Sequence, residues 1–298
     1  MRKTIDPSLQ LDMTDKARFN HNMKMLALFI LPVAYLAIIS AVIVHEIVGH
    51  GLVTALLGGK FGGFGILVDG MGWAMIDLSG METMNQVLVL LAGAFFTNLL
   101  SIVFFVLANR FSKQFLTSIS LLFFAFAFLM DGVPYFFWDA IYRGGIGDVS
   151  NVLLMYPSDS IRGVIIAVTG LFGLTGIFFF NLSAYRQIVG WFSAKGTYLF
   201  RERILIVSGL FAIQTLGWVS FDWKQLVPVP EMGYLPLVVP VFLTFVSLTG
   251  ILLCENRKLT DVTEDRQIQW KAPVLISWCV CILCILIIIL CFQKGLTF

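Results

Sequence analysis

Charge is what this sequence has least of. Of 298 residues only 13% are Asp, Glu, Lys or Arg, about half the share usual in soluble domains. With 58% hydrophobic residues and a mean hydropathy of +0.90, too little polar surface exists to cover a water-facing body. That shortage excludes a soluble globular domain, a disordered chain and a coiled coil. Cysteine is also scarce: Cys254, Cys279, Cys281, Cys284 and Cys291 all fall at or inside the last two apolar runs. No opposing loop cysteine faces them, so a secreted disulfide scaffold is excluded and polarizable packing residues are expected. The spacing Cys279-x-Cys281-x-x-Cys284 matches no familiar ligand pattern. A net charge of +2 leaves no electrostatic footprint for nucleic acid, and no such partner is expected. No internal repeat or low-complexity tract interrupts the chain.

What is abundant is apolar sequence in lengths that suit a bilayer. A helix needs roughly 20 apolar residues to cross the hydrocarbon layer. Seven windows qualify: Met25 to Leu57, Val87 to Ala108, Phe115 to Trp138, Ile161 to Leu182, Ile204 to Phe221, Leu235 to Cys254 and Pro273 to Phe292. The expected fold is an all-α polytopic membrane protein of about seven transmembrane helices, with the first window too long for one simple crossing. Lys and Arg number 15 on the side holding the N-terminus and 5 on the other, so the N-terminus is expected in the cytoplasm. The charged run Glu255 to Lys271 reads as a solvated loop.

Of three histidines in the chain, two share one short window of the first apolar run: Val44-His45-Glu46-Ile47-Val48-Gly49-His50-Gly51. Ionisable groups at membrane depth are expensive and mark a functional site by default. Two imidazoles beside a carboxylate suggest a metal. In the zincin motif His-Glu-x-x-His, histidines at i and i+4 share a helix face and the Glu polarises the attacking water. Here the spacing is i, i+5, which a regular α-helix spreads over roughly 140°. A π-bulge absorbs such an insertion, and Gly49 adds no bulk at the wide turn. The other reading open at this point is a buried polar network of His45, Glu46 and His50 in a non-catalytic transporter, receptor or inactive relative. His21, in the polar N-terminal arm, reads as solvated.

Over roughly residues 40–155 the sequence resembles the site-two protease family of intramembrane zinc metalloproteases. His45 to Gly51 leads into Leu56-Leu57-Gly58-Gly59, as that family's catalytic helix runs into a glycine pair. Phe64 to Ile76 flanks Asp69-Gly70 with two apolar runs, which suits a type I′ hairpin and is similar to the family's membrane-dipping hairpin, here residues 61–77. A free strand edge there would offer backbone partners to an extended substrate. Leu91-Ala92-Gly93-Ala94-Phe95-Phe96-Thr97-Asn98 is loosely similar to the family's Ala-Gly-Pro-x-x-Asn element. Its plainer reading is close helix contact through small residues. Asp131-Gly-Val-Pro134, followed by Gly147-Asp148-Val-Ser-Asn151, stands where the family supplies its third zinc ligand.

The resemblance implies zinc held by His45, His50 and an Asp, with Asp148 preferred, Asp131 second and Asp139 third. Glu46 would act as general base, Asn98 as an aid to the oxyanion, and the substrate would be a membrane protein. Residues 1–24 would form a cytoplasmic arm, 25–155 the catalytic membrane core, and 156–298 an accessory four-span region. A membrane zinc hydrolase acting on lipid is the remaining alternative.

Overall fold

A computed structural model of the chain describes residues 7–141, 147–192, 200–222, 235–254 and 268–297. The first helix, α1 (Pro7–Ile43), is uninterrupted by Pro32 and passes directly into a π-helical segment, Val44–Leu52, and then α2 (Val53–Leu56). The over-long first window is therefore part of one continuous rod, whose Ala17–Leu56 stretch holds an apolar window long enough to cross a membrane. Membrane helices tolerate an internal proline where neighbouring structure satisfies the freed carbonyl. Within the expected N-terminal arm, residues 7–24 are helical and continuous with the rod, and Phe19 is in the main core. His21 is exposed, as expected.

A hairpin follows, of β1 (Lys60–Ile66) and β2 (Gly72–Asp77), antiparallel and irregular between Phe61 and Gly63. The turn differs from the expected type I′. The Gly70 N–H donates to the Leu67 carbonyl at 3.0 Å, making Val68 and Asp69 the central residues and leaving Gly70 after them at φ +84°. This is the longer loop in which a type I turn is closed by a left-handed glycine. The Asp69 carboxylate accepts from the Met71 N–H at 3.3 Å, within the loop. Tyr35 of α1 donates to the Val68 carbonyl at 3.0 Å and ties the loop to the first helix. Phe64 and Ile66 of β1 bury against Ile39 and Val42, fixing which face of the hairpin looks at α1.

The long helices continue with α3 (Thr83–Arg110) and α4 (Phe115–Ile141), joined by a tight connection. Ser101 of α3 donates to the Ala125 carbonyl of α4 at 2.7 Å, a polar link of the kind that holds helices together in lipid. Then come α5 (Asp148–Met155), α6 (Asp159–Phe192), α7 (Phe200–Asp222), α8 (Leu235–Cys254) and α9 (Lys271–Ile287). A second π-helical turn, Ile288–Phe292, leads to β3 (Leu296–Thr297). β3 pairs antiparallel with β1 through Gly63 and Phe64, so the sheet has three strands in the order β2-β1-β3. The edge of β1, expected to be free, is thus occupied there by the chain's own backbone.

Among the described residues five helices are long and apolar enough to cross a membrane, rather than the seven expected. The windows at 204–221 and 235–254 are helical as well, as α7 and α8, of 23 and 20 residues, and within α8 the stretch Val241–Leu253 is a shorter apolar helix. Most of the charged run from Glu255 to Lys271 lies outside the described residues. On α6 and α9 large apolar side chains such as Leu171 and Leu275 point outward, which suits hydrocarbon as solvent. The chain is an integral, multi-pass membrane protein. One core, with Phe29, Ile119, Leu122 and Phe180 buried, draws on α1, α4, α6, α7 and α8, so the described region beyond residue 155 packs on the part that carries the histidines.

Candidate metal centre

The π-helical segment decides what the two histidines can do. A π-helix closes its turns over i to i+5, so residues five apart lie one above the other instead of diverging. His45 and His50 accordingly face the same way, ring centroids 4.9 Å apart and planes at 62°. Both are buried, at 6% and 5% exposure.

Each ring is oriented from behind. His50 Nδ1 donates to the Val89 carbonyl of α3 at 2.9 Å, and since a carbonyl only accepts, the proton must sit on Nδ1. His45 Nδ1 donates to Asp131 Oδ2 of α4 at 2.7 Å. Both Nε2 atoms are thereby left as lone-pair donors directed at a common point. Carbonyl and carboxylate partners behind ligating imidazoles are the usual means of fixing tautomer and basicity.

The third group comes from the first residue of α5. Asp148 Oδ2 lies 3.2 Å from His50 Nε2 and 3.6 Å from His45 Nε2, yet this buried oxygen makes no aligned hydrogen bond. Donor atoms of His45, His50 and Asp148 all lie within 4.8 Å of one another. An orphaned buried carboxylate oxygen facing two imidazole lone pairs is costly unless a cation joins them, so the residues present fit a metal ion. Two nitrogens and one oxygen are also the donor set of a zinc site that keeps a position open.

The other expected residues take different places. Asp131 stands on the Nδ1 side of His45, away from the donor cluster. Asp139 hydrogen-bonds Ser150. Asn98 packs against Gly132, and its buried Oδ1 has no hydrogen-bond partner among the described residues. Glu46 is half-buried with its side chain against Gly72 at the start of β2.

A family model described as Peptidase M50B-like matches residues 23–196, more than half of the chain. The chain belongs to this family. That bears out the resemblance to site-two proteases and extends it through α6. No curated protein and no solved structure matches the chain. Every donor of the cluster, from His45 to Asp148, lies inside the M50B-like region, as do the Val89 carbonyl and Asp131 behind the rings. The Val89 carbonyl had no signal in the sequence, since any residue supplies one.

Glycines explain how the M50B-like centre is packed so tightly. A methyl group on Gly49 would fall 2.3 Å from Cα of Gly93, and one on Gly93 would fall 2.4 Å from Nε2 of His45 and 2.8 Å from Nε2 of His50. The small-residue element of α3 is therefore the floor of the donor cluster. Gly93→Ala is expected to abolish metal retention in purified protein, measured by mass spectrometry. Gly49→Ala, which forces backbone from backbone, should lower thermal stability by at least the ~1–3 kcal/mol of ordinary overpacking. Wild-type metal content in Gly93→Ala would show that the imidazoles do not converge over this glycine.

Proposed function

We propose that this protein is an intramembrane zinc metalloprotease that cleaves membrane-associated or transmembrane proteins. The observation that carries the reading is the convergence of Asp148 Oδ2, from α5, on His45 Nε2 and His50 Nε2 of a rod long and apolar enough to span a membrane. Zinc bound by these three would supply a Lewis acid that acidifies water and polarises a peptide carbonyl. Glu46, next to His45 in the chain, takes the proton of the attacking water and returns it to the departing amine. Asp131 and the Val89 carbonyl hold the rings in the tautomer that presents Nε2. Because Asp131 accepts from the far nitrogen of His45, its role is orientation and Asp148 is the carboxylate ligand.

The hairpin lies directly on this site: a methyl on Gly72 would fall 3.0 Å from Cγ of Glu46. A peptide bond inside a helix is already hydrogen-bonded, so a substrate must unwind before attack, and a strand surface beside Glu46 suits an extended segment. The bilayer and a membrane-protein substrate are the partners this reading requires.

The test is metal and cleavage together. Protein purified in detergent without chelators is expected to carry about one zinc per chain, and to cut a reporter transmembrane helix. Chelation should remove both, and added zinc should restore both. A metal-free wild type, or cleavage that survives complete zinc removal, would end the metalloprotease reading.

A further inference from the structure

Asp148 can complete the cluster only if α5 begins at the right place, and α5 has no cap of its own. Its N-cap residue, Gly147, has no side chain to offer the unpaired N–H groups of the first turn. Those groups are met from another helix. Asp139, near the end of α4, accepts the Ser150 backbone N–H on Oδ2 at 2.9 Å. Its Oδ1 accepts from the Ser150 hydroxyl, which also lies 3.0 Å from the Asp139 carbonyl. Ser150 is 3% exposed, so these bonds are sheltered from water.

The carboxylate is also in close contact with the backbone just ahead of Asp148. A methyl on Gly147 would fall 2.3 Å from Asp139 Oδ2. A negative group here is favoured by the N-terminal dipole of α5 as well as by the hydrogen bonds. The other side of the junction is fixed in the complementary way. Arg162 of α6 donates to the Ala140 carbonyl at 2.6 Å and the Ile141 carbonyl at 2.8 Å, the last carbonyls of α4. An anion thus caps the start of α5 and a cation the end of α4, on either side of the connection that delivers Asp148.

We propose that Asp139 is a positioning residue for the metal centre: as a cap supplied by α4 it sets where α5 begins and so holds Asp148 against His45 and His50. It is not itself a ligand. The inference rests on the metal reading above for its consequence, and on the geometry of the α4–α5 junction for its cause.

The test compares Asp139→Ala, Asp139→Asn, Ser150→Ala and Asp148→Ala in the full chain in detergent. Zinc affinity is measured by competition with a chromophoric chelator, and ligand identity by the visible spectrum of the cobalt-substituted protein. Asp139→Ala is expected to weaken zinc by roughly 10- to 100-fold, the usual cost of losing an outer partner, while the cobalt spectrum at saturation stays that of wild type. Asp139→Asn should recover most of the affinity, since an amide oxygen still accepts the Ser150 N–H. Ser150→Ala should lose less, because it keeps that N–H.

Wild-type affinity in Asp139→Ala overturns the proposal. So does a cobalt spectrum altered as in Asp148→Ala, which would make Asp139 a ligand. Amide hydrogen exchange at residues 149–151 gives a readout that needs no metal. It should accelerate in Asp139→Ala and return in Asp139→Asn, and unchanged exchange would also overturn the cap. If wild type binds neither zinc nor cobalt while exchange behaves as stated, the metal reading fails and the cap stands; the positioning role then falls with the metal.

Discussion

Glu46→Gln is expected to abolish turnover while leaving the metal in place. The side chain follows His45 in the π-helical segment, is half-buried, and packs against Gly72 where β2 begins. It is not among the three donors that converge. Gln has the same shape and reach, so packing against the hairpin is preserved. What disappears is the ability to accept a proton, and positioned acid–base groups contribute typically ~10²–10⁴-fold to rate. A drop of that size in cleavage of a reporter transmembrane helix, with about one zinc still bound, separates a base from a ligand. Cleavage at the wild-type rate would remove Glu46 from the reaction. Loss of zinc together with activity would instead make Glu46 part of the coordination shell.

How much of this site could be read from the sequence depends on how local each feature is. The apolar windows were legible because lipid imposes the same demand on every span, and the described spanning helices fall on them. The histidine pair was legible because ionisable residues are conspicuous in apolar sequence. Its i, i+5 spacing favoured a non-catalytic polar network only while the helix was taken as regular. The π-helical segment removes that objection, since the extra residue is absorbed within Val44–Leu52. Gly49 was readable as a place without bulk; that the space it leaves is filled by the backbone of Gly93 was not, because that contact depends on how α3 crosses the rod.

Long-range partners were the least legible. Asp131, Asp139 and Asp148 are three carboxylates in one stretch, and spacing alone cannot separate ligand from orienter from cap. Asp131 meets a histidine 86 positions earlier, while Asp139 meets a serine only 11 positions later. The pairing of Leu296–Thr297 with β1 was invisible for the same reason. A two-residue strand has no period of its own, and Gly63 and Phe64 receive it from more than 200 positions away. The Asp69-Gly70 pair suits the centre of a two-residue turn, but the Gly70 N–H bonds the Leu67 carbonyl, which places the centre at Val68 and Asp69, one residue nearer the N-terminus.

Asp148 and Asp131 should separate cleanly when each is changed. His45→Ala, His50→Ala and Asp148→Ala are each expected to strip zinc from the purified protein, because each removes one of the three donors that converge among the described residues. Asp131→Asn should do something milder. The amide oxygen can still accept from His45 Nδ1, so the tautomer survives and only the charge behind the ring is lost. Outer partners of this kind are worth roughly 10–100-fold in metal affinity, which leaves the site filled at excess zinc and depleted under competition. Mass spectrometry at excess zinc, followed by titration against a chromophoric chelator, distinguishes the two patterns. Complete zinc loss in Asp131→Asn with zinc retained in Asp148→Ala would exchange their roles. That result would require His45 to turn its ring over, presenting Nδ1 to the metal and giving up the 2.7 Å bond that now holds it.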